Sequence, residues 1–255
     1  MTRAQLASII DHTQVRAYAT QEDITELCDE AVEHGFRCVT VNSAWTSYCV
    51  KHLAESSVGV DATVGFPLGA TTARMKVEEA REAVQNGAAE IDMVINIGAL
   101  KSRFPSYVER EIAAVVKAVR QTPVKVILET SYLSTEEKIA ICEMSMRAGA
   151  AFVKTSTGFG RAGATAEDVA LMRRVVGKDL GVKAAGGIRS YADVVAMLNA
   201  GASRLGTSTS VTILDEMPAA APTGPPRSPR TQMTESRPRW LRPPPGGLGS
   251  EPRRP

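Results

Sequence analysis

Two lysines and one carboxylate lie in apolar segments where a charge is costly. Lys154 lies in Phe-Val-Lys-Thr-Ser-Thr, Lys183 in Val-Lys-Ala-Ala-Gly-Gly, and Asp92 in Glu-Ile-Asp-Met-Val-Ile-Asn. A buried lysine is unfavourable unless it is paired, so these segments predict that the three side chains meet. A lysine whose pKa is lowered by a second cation is a nucleophile that forms a Schiff base with a carbonyl compound. The alternative interpretation is a structural ion cluster.

The repulsion between two nearby cations is large enough to lower the pKa of a lysine to near neutrality. Lowering a lysine pKa from about 10.4 to about 7 costs about 4.6 kcal/mol, at about 1.36 kcal/mol per pKa unit. Two like charges about 4 Å apart repel by about 4 kcal/mol at an effective dielectric constant near 20. We therefore expect the cation of one lysine to lower the pKa of the other enough to make it a nucleophile.

Short β-branched segments alternate with amphipathic helical stretches over residues 1–214, which indicates βα units. The eight strands are expected at 8–13, 38–42, 60–66, 90–96, 124–130, 152–156, 182–186 and 204–208. Side chains that precede an acid by three residues predict helix N-caps at Thr20, Ser134, Thr165 and Ser190.

Four glycines follow helical runs and mark the same repeat. Gly35, Gly87, Gly149 and Gly201 are separated by 52, 62 and 52 residues, and half of each interval is the length of one βα unit. Eight such units predict an α/β fold, a (βα)8 TIM barrel. A doubly wound sheet is the alternative, but it favours a glycine-rich nucleotide loop after the first strand, where this chain has Asp11-His-Thr-Gln.

A βα barrel builds its site from inward residues at the carboxyl ends of the strands. Alternation along the fourth strand predicts that Glu90, Asp92 and Asn96 point into the barrel. Lys125 is a further candidate for an inward position. It begins the fifth strand, on the face that serves stability, so we do not expect it to be catalytic.

Small-residue loops follow the last two strands. Gly186 and Gly187 follow the seventh, and Gly206-Thr-Ser208-Thr209 ends the eighth. Loops at these two positions commonly hold a phosphate in barrels, because glycine lets backbone N–H groups approach an anion. The sequence therefore predicts a phosphorylated substrate, and the alternative is tight turns only.

Five segments together closely resemble the deoxyribose-phosphate aldolase family. They are Val64–Ala70, Glu90–Ser102, Phe152–Phe159, Val182–Arg189 and Arg204–Ser208. The resemblance runs from about residue 10 to about residue 210. It implies a βα barrel that cleaves 2-deoxy-D-ribose 5-phosphate to D-glyceraldehyde 3-phosphate and acetaldehyde, or reverses this, in deoxyribonucleoside catabolism. It also implies that no metal or other cofactor takes part.

The resemblance implies a role for each matching residue. Lys154 matches the Schiff-base lysine, Lys183 the lysine that tunes it, and Asp92 the carboxylate of a proton relay. The other matches are Asp11 and Thr13 in a supporting polar network, Thr157 and Gly158 as substrate contacts, and Gly186, Gly187, Gly206, Ser208 and Thr209 in the phosphate cradle.

The chain departs from the family pattern at a few places. The family usually continues Leu-Leu-Lys-Pro after Asp-His-Thr, and this chain has Gln-Val-Arg-Ala over 14–17. Thr40 and Ser131 replace a common Cys, and Ala185 replaces a common Ser. No tyrosine follows Tyr191, although some members use a C-terminal tyrosine in proton transfer.

Composition changes sharply after Leu214. Residues 1–214 carry 23 basic and 24 acidic groups, whereas residues 215–255 carry seven Arg, four acids and 11 of the 14 prolines. We therefore expect a barrel domain over 1–214 and a Pro/Arg-rich disordered tail over 215–255. A tail that binds nucleic acid, a membrane surface or a polyproline-reading domain, or a shifted reading frame, is the alternative.

The expected partner of the barrel is a small phosphosugar, with no nucleic acid and no membrane, and a homodimer or higher homo-oligomer is an open expectation. No apolar run reaches the roughly 18 residues of a membrane span, and no signal peptide begins the chain, so we expect a cytoplasmic protein. The four cysteines are not spaced as metal ligands, and we expect them to be buried thiols.

Two alternative functions remain open. One is a phosphosugar-binding barrel with little or no turnover. The other is a different Schiff-base sugar-phosphate aldolase, either transaldolase-like or acting on ketose phosphates.

Overall fold

Eight parallel strands close into a barrel in chain order, so that β1 pairs with both β2 and β8. A computed structural model describes residues 1–218. The strands are β1 (Ile10–Gln14), β2 (Cys38–Asn42), β3 (Gly59–Val64), β4 (Glu90–Val94), β5 (Val124–Ile127), β6 (Phe152–Lys154), β7 (Gly181–Ala185) and β8 (Arg204–Thr207). The predicted (βα)8 barrel is confirmed.

Helices surround the barrel and connect consecutive strands. They are α1 (Arg3–Ala7), α2 (Gln21–His34), α3 (Thr46–His52), α4 (Ala73–Gln85), α5 (Ile97–Lys101), α6 (Pro105–Val119), α7 (Thr135–Arg147), α8 (Ala166–Val176), α9 (Tyr191–Asn199) and α10 (Ser210–Asp215). Short 3-10 turns lie at Ser43–Trp45 and Thr130–Tyr132. No helix within residues 1–218 is long and apolar enough to cross a membrane.

The predicted N-caps begin α2, α7, α8 and α9. Thr20, Ser134, Thr165 and Ser190 each accept a hydrogen bond from the backbone N–H three residues ahead. This bond satisfies one of the donors that a helix start leaves open. The caps therefore fix where each helix leaves its preceding loop, and the loops form the mouth of the barrel.

Side chains of β4 alternate between two environments. Ile91 and Met93 pack among the helices, fully buried, whereas Glu90 and Asp92 point into the barrel. The expectation that Asn96 also points inward is wrong. The strand ends at Val94, and the Asn96 side chain accepts a hydrogen bond from the Ala99 backbone N–H at 2.9 Å, which caps α5.

Residues near both ends of the described chain cover the joint between β1 and β8. His12 on β1 contacts the Ser210 hydroxyl at 2.9 Å and the Glu30 carboxylate at 2.6 Å. Arg3 donates to the Leu214 carbonyl at 3.0 Å. α10 ends at Asp215. The predicted tail lies, from residue 219 onward, outside the described residues, so the division at 214 stays a prediction.

Candidate active site

Lys154 ends β6 at the bottom of a cavity of about 340 Å³ in the barrel mouth. Its ammonium lies 2.5 Å from Asp92 Oδ2, and the residue is 4% exposed. Register places Ile127 of β5 and Lys183 of β7 on either side of it. The side chain is therefore held by a carboxylate from below and open to the cavity from above.

Lys183 lies beneath the cavity, where it is fully buried. Its ammonium forms ion pairs with Asp11 at 2.6 Å and with Asp61 and Asp92 at 2.8 Å each. A Cβ at Gly206 would lie 3.0 Å from Lys183 Cε, so the glycine leaves room for this side chain. Lys154 and Lys183 thus contact the same oxygen of Asp92, and the three side chains lie together as expected.

A second set of ion pairs continues below Asp92. Lys125 Nζ lies 2.7 Å from Glu90 and 2.9 Å from the other oxygen of Asp92. Arg204 binds Glu90 at 3.2 Å and Asp11 at 2.7 Å. Lys125 points inward near the start of its strand and does not line the cavity.

Burial is the largest cause that lowers the pKa of Lys154. The Asp92 carboxylate raises that pKa, and the Lys183 cation lowers it further. We expected the cation of the neighbouring lysine to be the main cause of the lowered pKa. Burial of the Lys154 amine contributes more. Burial also disfavours the charge on Lys183, but Asp11, Asp61 and Asp92 outweigh it and raise the pKa of Lys183. Lys183 therefore remains a cation beside Lys154.

Burial disfavours the charge of Asp92, but the cations of Lys125, Lys154 and Lys183 outweigh it and hold the pKa of Asp92 well below its ordinary value. Asp61 behaves in the opposite way. Burial and the nearby Asp92 charge raise the pKa of Asp61, against the lysines that contact it. The pKa values of the two carboxylates are thus shifted in opposite directions.

Most of the predicted binding residues line the cavity. They are Thr13, Thr157, Gly158, Gly186, Gly187, Gly206 and Ser208. Thr209 lies beside the cavity, with its hydroxyl 3.1 Å from that of Thr207. Asp11 lies beneath it among the ion pairs, fully buried. The sequence-predicted residues therefore occupy two layers, one open to a ligand and one closed.

The loop after β7 approaches the loop after β6 closely. Gly186 has a φ of +86°, and a Cβ there would lie 3.2 Å from Gly163 Cα and 3.3 Å from Gly158 Cα. The Ala164 N–H donates to the Gly186 carbonyl at 2.9 Å. Glycine tolerates both the positive φ and the close contacts at position 186. The next residue, Gly187, lines the cavity.

Glu129, which lies just after β5, was not predicted from the sequence as a site residue. Its carboxylate accepts from both the backbone N–H and the hydroxyl of Thr157, and that hydroxyl accepts from the Phe159 N–H at 3.0 Å. Phe159 meets Phe66 edge-on, with ring centroids 5.6 Å apart. Glu129 thus holds the loop that begins at Thr157. Its left-handed backbone, with φ of 56°, left no signal in the sequence.

Asp61 is the second residue that the sequence analysis missed. In Gly-Val-Asp-Ala-Thr-Val, Asp61 and Thr63 alternate with apolar residues. Register pairs Asp61 with Glu90 and Thr63 with Asp92. The same alternation that identified Asp92 therefore carried a signal for Asp61.

Departures from the family pattern also lie at the cavity. Gln14, Arg16, Thr40 and Ala185 line it. Thr40 donates to Asp61 Oδ2 at 2.9 Å. The departures thus change the cavity wall and one contact of the buried ion pairs.

One group among the described residues has the chemistry of a metal site. Asp11, Cys38 and Glu90 present possible ligand atoms within 4.8 Å of one another. However, Lys125 and Arg204 already pair with these carboxylates. Burial and the two acids raise the pKa of the Cys38 thiol, whereas a metal requires the thiolate. The group fits a cluster of ion pairs.

A closed βα barrel with paired lysines and a carboxylate under its mouth defines the class of barrel aldolases. The chain belongs to that class as a member of the DeoC/LacD family aldolases, whose model matches residues 6–212. The Thermococcus gammatolerans protein named deoxyribose-phosphate aldolase is 54% identical over 219 residues, which cover 84% of this chain and 97% of that protein. A Caldanaerobacter subterraneus protein of the same name is 56% identical over 214 residues, covering 83% and 93%.

Solved structures give the same result. A structure of a putative deoxyribose-phosphate aldolase from Coccidioides immitis superposes with a TM-score of 0.82 at 45% identity, covering 85% of this chain and 87% of that one. A deoxyribose phosphate aldolase from Aeropyrum pernix, described as a unique tetramer, superposes with a TM-score of 0.79 at 35% identity, covering 84% and 91%.

Proposed function

We propose that this chain is a deoxyribose-phosphate aldolase. It cleaves 2-deoxy-D-ribose 5-phosphate to D-glyceraldehyde 3-phosphate and acetaldehyde, reversibly, in deoxyribonucleoside catabolism. The observation that carries the proposal is the Lys154 amine at the bottom of the cavity, 2.5 Å from Asp92 and next to Lys183. The names of the relatives supply the substrate.

Lys154 supplies the nucleophile. Its neutral amine attacks the C1 aldehyde of the open-chain sugar, and loss of water gives an iminium. The iminium draws electrons from the C2–C3 bond as that bond breaks, because the cation is stabilised by becoming a neutral enamine. The low pKa that burial gives Lys154 favours the neutral amine.

Asp92 and Lys183 handle the protons. Asp92, with Lys183 and a bound water, takes the proton of the C3 hydroxyl during cleavage and later protonates the enamine carbon C2. Lys183 keeps its charge through the reaction, since three carboxylates surround it. Its role is to stabilise Asp92 as an anion and to disfavour charge on Lys154.

Cleavage starts from a phosphorylated sugar that the loops after β7 and β8 hold. Gly186, Gly187 and Gly206 present backbone to the cavity beside the Ser208 hydroxyl. Thr13, Thr157 and Gly158 contact the rest of the substrate, while Thr209 and Asp11 support this lining from outside it. A cavity of about 340 Å³ suits a ligand of this size.

The experiment is reductive trapping with acetaldehyde and borohydride, followed by peptide mass spectrometry. We expect a mass gain at Lys154. Lys154→Arg keeps the charge but abolishes trapping and cleavage, because a guanidinium stays protonated. Lys101→Arg, on the surface, is the matched control and keeps both. Wild-type trapping in the Lys154→Arg variant would assign the nucleophile to another lysine.

A coupled assay on 2-deoxyribose 5-phosphate separates this function from its rivals. Cleavage with a glyceraldehyde 3-phosphate product supports the proposal. Trapping at Lys154 with cleavage of only a ketose phosphate would identify another sugar-phosphate aldolase. Binding of the phosphosugar without trapping in folded protein would identify a binding barrel.

The proposal includes a homo-oligomeric state and a cytoplasmic location. The Aeropyrum pernix relative is described as a tetramer, which supports a homo-oligomer here. All four cysteines are buried free thiols, as a reducing compartment such as the cytoplasm maintains them. Sedimentation of the purified protein tests the first point, since a monomer at micromolar concentration would contradict it.

A further inference from the structure

Glu129 directs its buried carboxylate at a single residue of the cavity wall. It is 2% exposed, and its Oε2 accepts from the backbone N–H of Thr157 at 3.2 Å and from the hydroxyl of the same residue. Its other oxygen, Oε1, is buried and has no hydrogen-bond partner among the described residues. Within residues 1–218, the hydrogen bonds of this carboxylate therefore go to Thr157 alone.

The backbone holds Glu129 in an unfavourable conformation to make this contact. Its φ of 56° lies in the left-handed region, which is costly for a residue with a side chain. The neighbouring N–H groups of Leu128 and Thr130 pair with the backbone of β6 and the residue after it, at 2.9 and 3.0 Å. A Cβ at Gly160 would lie 2.7 Å from Glu129 Oε1, so the substrate loop packs directly on the carboxylate.

The hydrogen bonds of the Thr157 hydroxyl fix its polarity. A hydroxyl has one donor and can accept two hydrogen bonds. Here the donor goes to Glu129, and one acceptor position takes the Phe159 N–H at 3.0 Å. Thr157 lines the cavity and is 8% exposed. What remains of this hydroxyl for a ligand is a single acceptor position.

Protonation of Glu129 does not reverse this polarity. Burial raises the pKa of Glu129, while the two donors of Thr157 oppose that rise. The backbone N–H of Thr157 points at Oε2, so a proton on the carboxyl group belongs on Oε1. Oε2 then remains a carbonyl oxygen that accepts from the Thr157 hydroxyl.

Other hydroxyls of the cavity wall are also used as donors by the protein. Thr13 donates to the Asp11 carbonyl at 2.9 Å, and Thr207 donates to the Ile188 carbonyl at 2.7 Å. A wall of acceptors suits the hydroxyl groups of a sugar and disfavours an ionised phosphate. Thr157 differs from the other two because a side chain, and not the backbone, takes its proton. Its polarity can therefore be changed by substitution.

The position of Thr157 identifies the substrate hydroxyl that it meets. It follows Lys154 by three residues, and a Cβ at Gly186 would lie 3.3 Å from the Cα of its neighbour Gly158. The proposed function, on which this inference rests, places C1 at Lys154, the C3 hydroxyl near Asp92 and the phosphate near Gly186. The C4 hydroxyl remains, and it becomes the C2 hydroxyl of glyceraldehyde 3-phosphate.

We propose that Glu129 is a positioning residue that makes the Thr157 hydroxyl an acceptor for the C4 hydroxyl of the substrate. Glu129 does not touch the substrate and acts through Thr157. In the direction of synthesis, the pair selects an aldehyde that carries a hydroxyl at C2. Without Glu129 the Thr157 hydroxyl is free to rotate, and this selection is lost.

The test compares two aldehydes in the addition of acetaldehyde. They are D-glyceraldehyde 3-phosphate and 3-oxopropyl phosphate, which lacks the C2 hydroxyl, and the ratio of their kcat/KM values measures the selection. Thr157→Val lowers this ratio about five- to tenfold, because one hydrogen bond is lost. Glu129→Met lowers it by a similar factor. The double variant shows no further fall, since both changes remove the same contact.

A conservative variant and a surface variant are the controls. Glu129→Gln retains the ratio, because the Thr157 N–H orients the amide oxygen toward Thr157 and that oxygen accepts from both donors. Glu143→Met, the same change on the exposed surface of α7, also retains it. Reductive trapping of acetaldehyde at Lys154 keeps its wild-type rate in every variant, because acetaldehyde has no hydroxyl for Thr157 to bind.

The outcomes separate this inference from a structural role and from the proposed function. An unchanged ratio in Glu129→Met, or additive losses in the double variant, would overturn the inference. Slower trapping with equal losses on both aldehydes would do the same, since it would assign Glu129 to the fold. If Glu129→Met does not trap acetaldehyde, Glu129→Asp, one methylene too short to reach Thr157, replaces it with the same expected ratio. Absence of trapping in the wild-type protein would instead contradict the proposed function.

Discussion

Lys183 is a buried cation surrounded by carboxylates. Its ammonium contacts three carboxylates, and one of their oxygens also binds Lys154. A lysine in such a position serves less as an acid or base than as a fixed positive charge. Its removal would therefore act on Lys154 through electrostatics.

Lys183→Leu raises the pKa of Lys154, because a cation that disfavours its charge is lost and the nearby acids remain. A raised pKa means a smaller neutral fraction at pH 7, and that fraction recovers as the pH rises through the new value. We expect retro-aldol activity to fall by about tenfold or more at neutral pH and to recover partly in alkaline buffer.

The measurement is kcat/KM from about pH 6 to pH 10, with Lys178→Leu on the surface as the matched control. A loss that is the same at every pH would show that Lys183 takes part directly in proton transfer.

Ser208 tests the phosphate assignment. Ser208→Asp introduces a negative charge at the cavity wall beside the glycine loops. Repulsion of a phosphate there should weaken binding by about 2–4 kcal/mol. The KM for 2-deoxyribose 5-phosphate should rise, while the activity on unphosphorylated 2-deoxyribose changes little. Ser208→Asn, similar in size but neutral, should affect the phosphorylated substrate far less. Equal losses on both sugars would contradict the assignment.

Single residues were predictable where alternation and chemistry agreed. Lys154, Lys183 and Asp92 interrupt apolar strands with a charge, and register brings them together as expected. Asp61 followed the same alternation but had no catalytic role to suggest it. Glu129 was out of reach, because its function depends on a left-handed backbone and on a loop 28 residues later in the chain.

At the scale of elements, a buried ion pair holds the end of β4 to two helices. Lys76 of α4 and Glu111 of α6 are fully buried and 2.8 Å apart. Lys76 also donates to the Val94 carbonyl at 2.7 Å, and Glu111 accepts from the Asn96 N–H at 2.9 Å. The pair thus supports the strand that carries Asp92 from outside the barrel.

Removing one partner of this pair leaves a buried charge unpaired. Lys76→Met or Glu111→Leu alone should lower the free energy of unfolding by about 3–5 kcal/mol. The double variant should recover most of that loss, because both charges are gone. Urea unfolding of the four proteins measures the coupling. Additive losses would show that packing, and not charge, is what the pair contributes.

Strand starts were easier to predict than strand ends. The apolar pattern of β5 continues through Leu128, so a strand to Thr130 was expected, but the strand ends at Ile127. The chain there turns to place Glu129 under the next loop, a tertiary demand that local propensity does not register. Helix starts were predictable because an N-cap is a local hydrogen bond, as at Thr20 and Ser190.

At the scale of the molecule, the barrel depends on how its first and last strands are joined. β1 and β8 pair from Ile10 with Leu205 onward, and Ile213 and Leu214 of α10 are buried against that joint. Met217, just after α10, is the last hydrophobic residue of the described chain that packs against the core. The Pro/Arg-rich composition that follows is predicted to add nothing to it.

Truncation tests this boundary. A protein that ends at Met217 should melt as the full chain does and retain its retro-aldol rate, because it keeps all of α10. A protein that ends at Ser210 exposes the joint and should melt well below both. If ending at Met217 lowered the melting temperature as much as ending at Ser210, the tail would be structural and the boundary wrong.

The charged interior gives the barrel an unusual response to heat. A conventional barrel core of branched aliphatic side chains depends on the hydrophobic effect, whose strength per unit area levels off on warming. Ion pairs behave differently, because the penalty for stripping water from charged groups falls as the temperature rises. The strands place eight charged side chains inside the barrel, which are Asp11, Asp61, Glu90, Asp92, Lys125, Lys154, Lys183 and Arg204. Burying these groups therefore costs the fold less at high temperature than at low temperature. The charged interior therefore opposes folding less as the temperature rises, and a barrel filled with ion pairs is better suited to a high working temperature than to a low one.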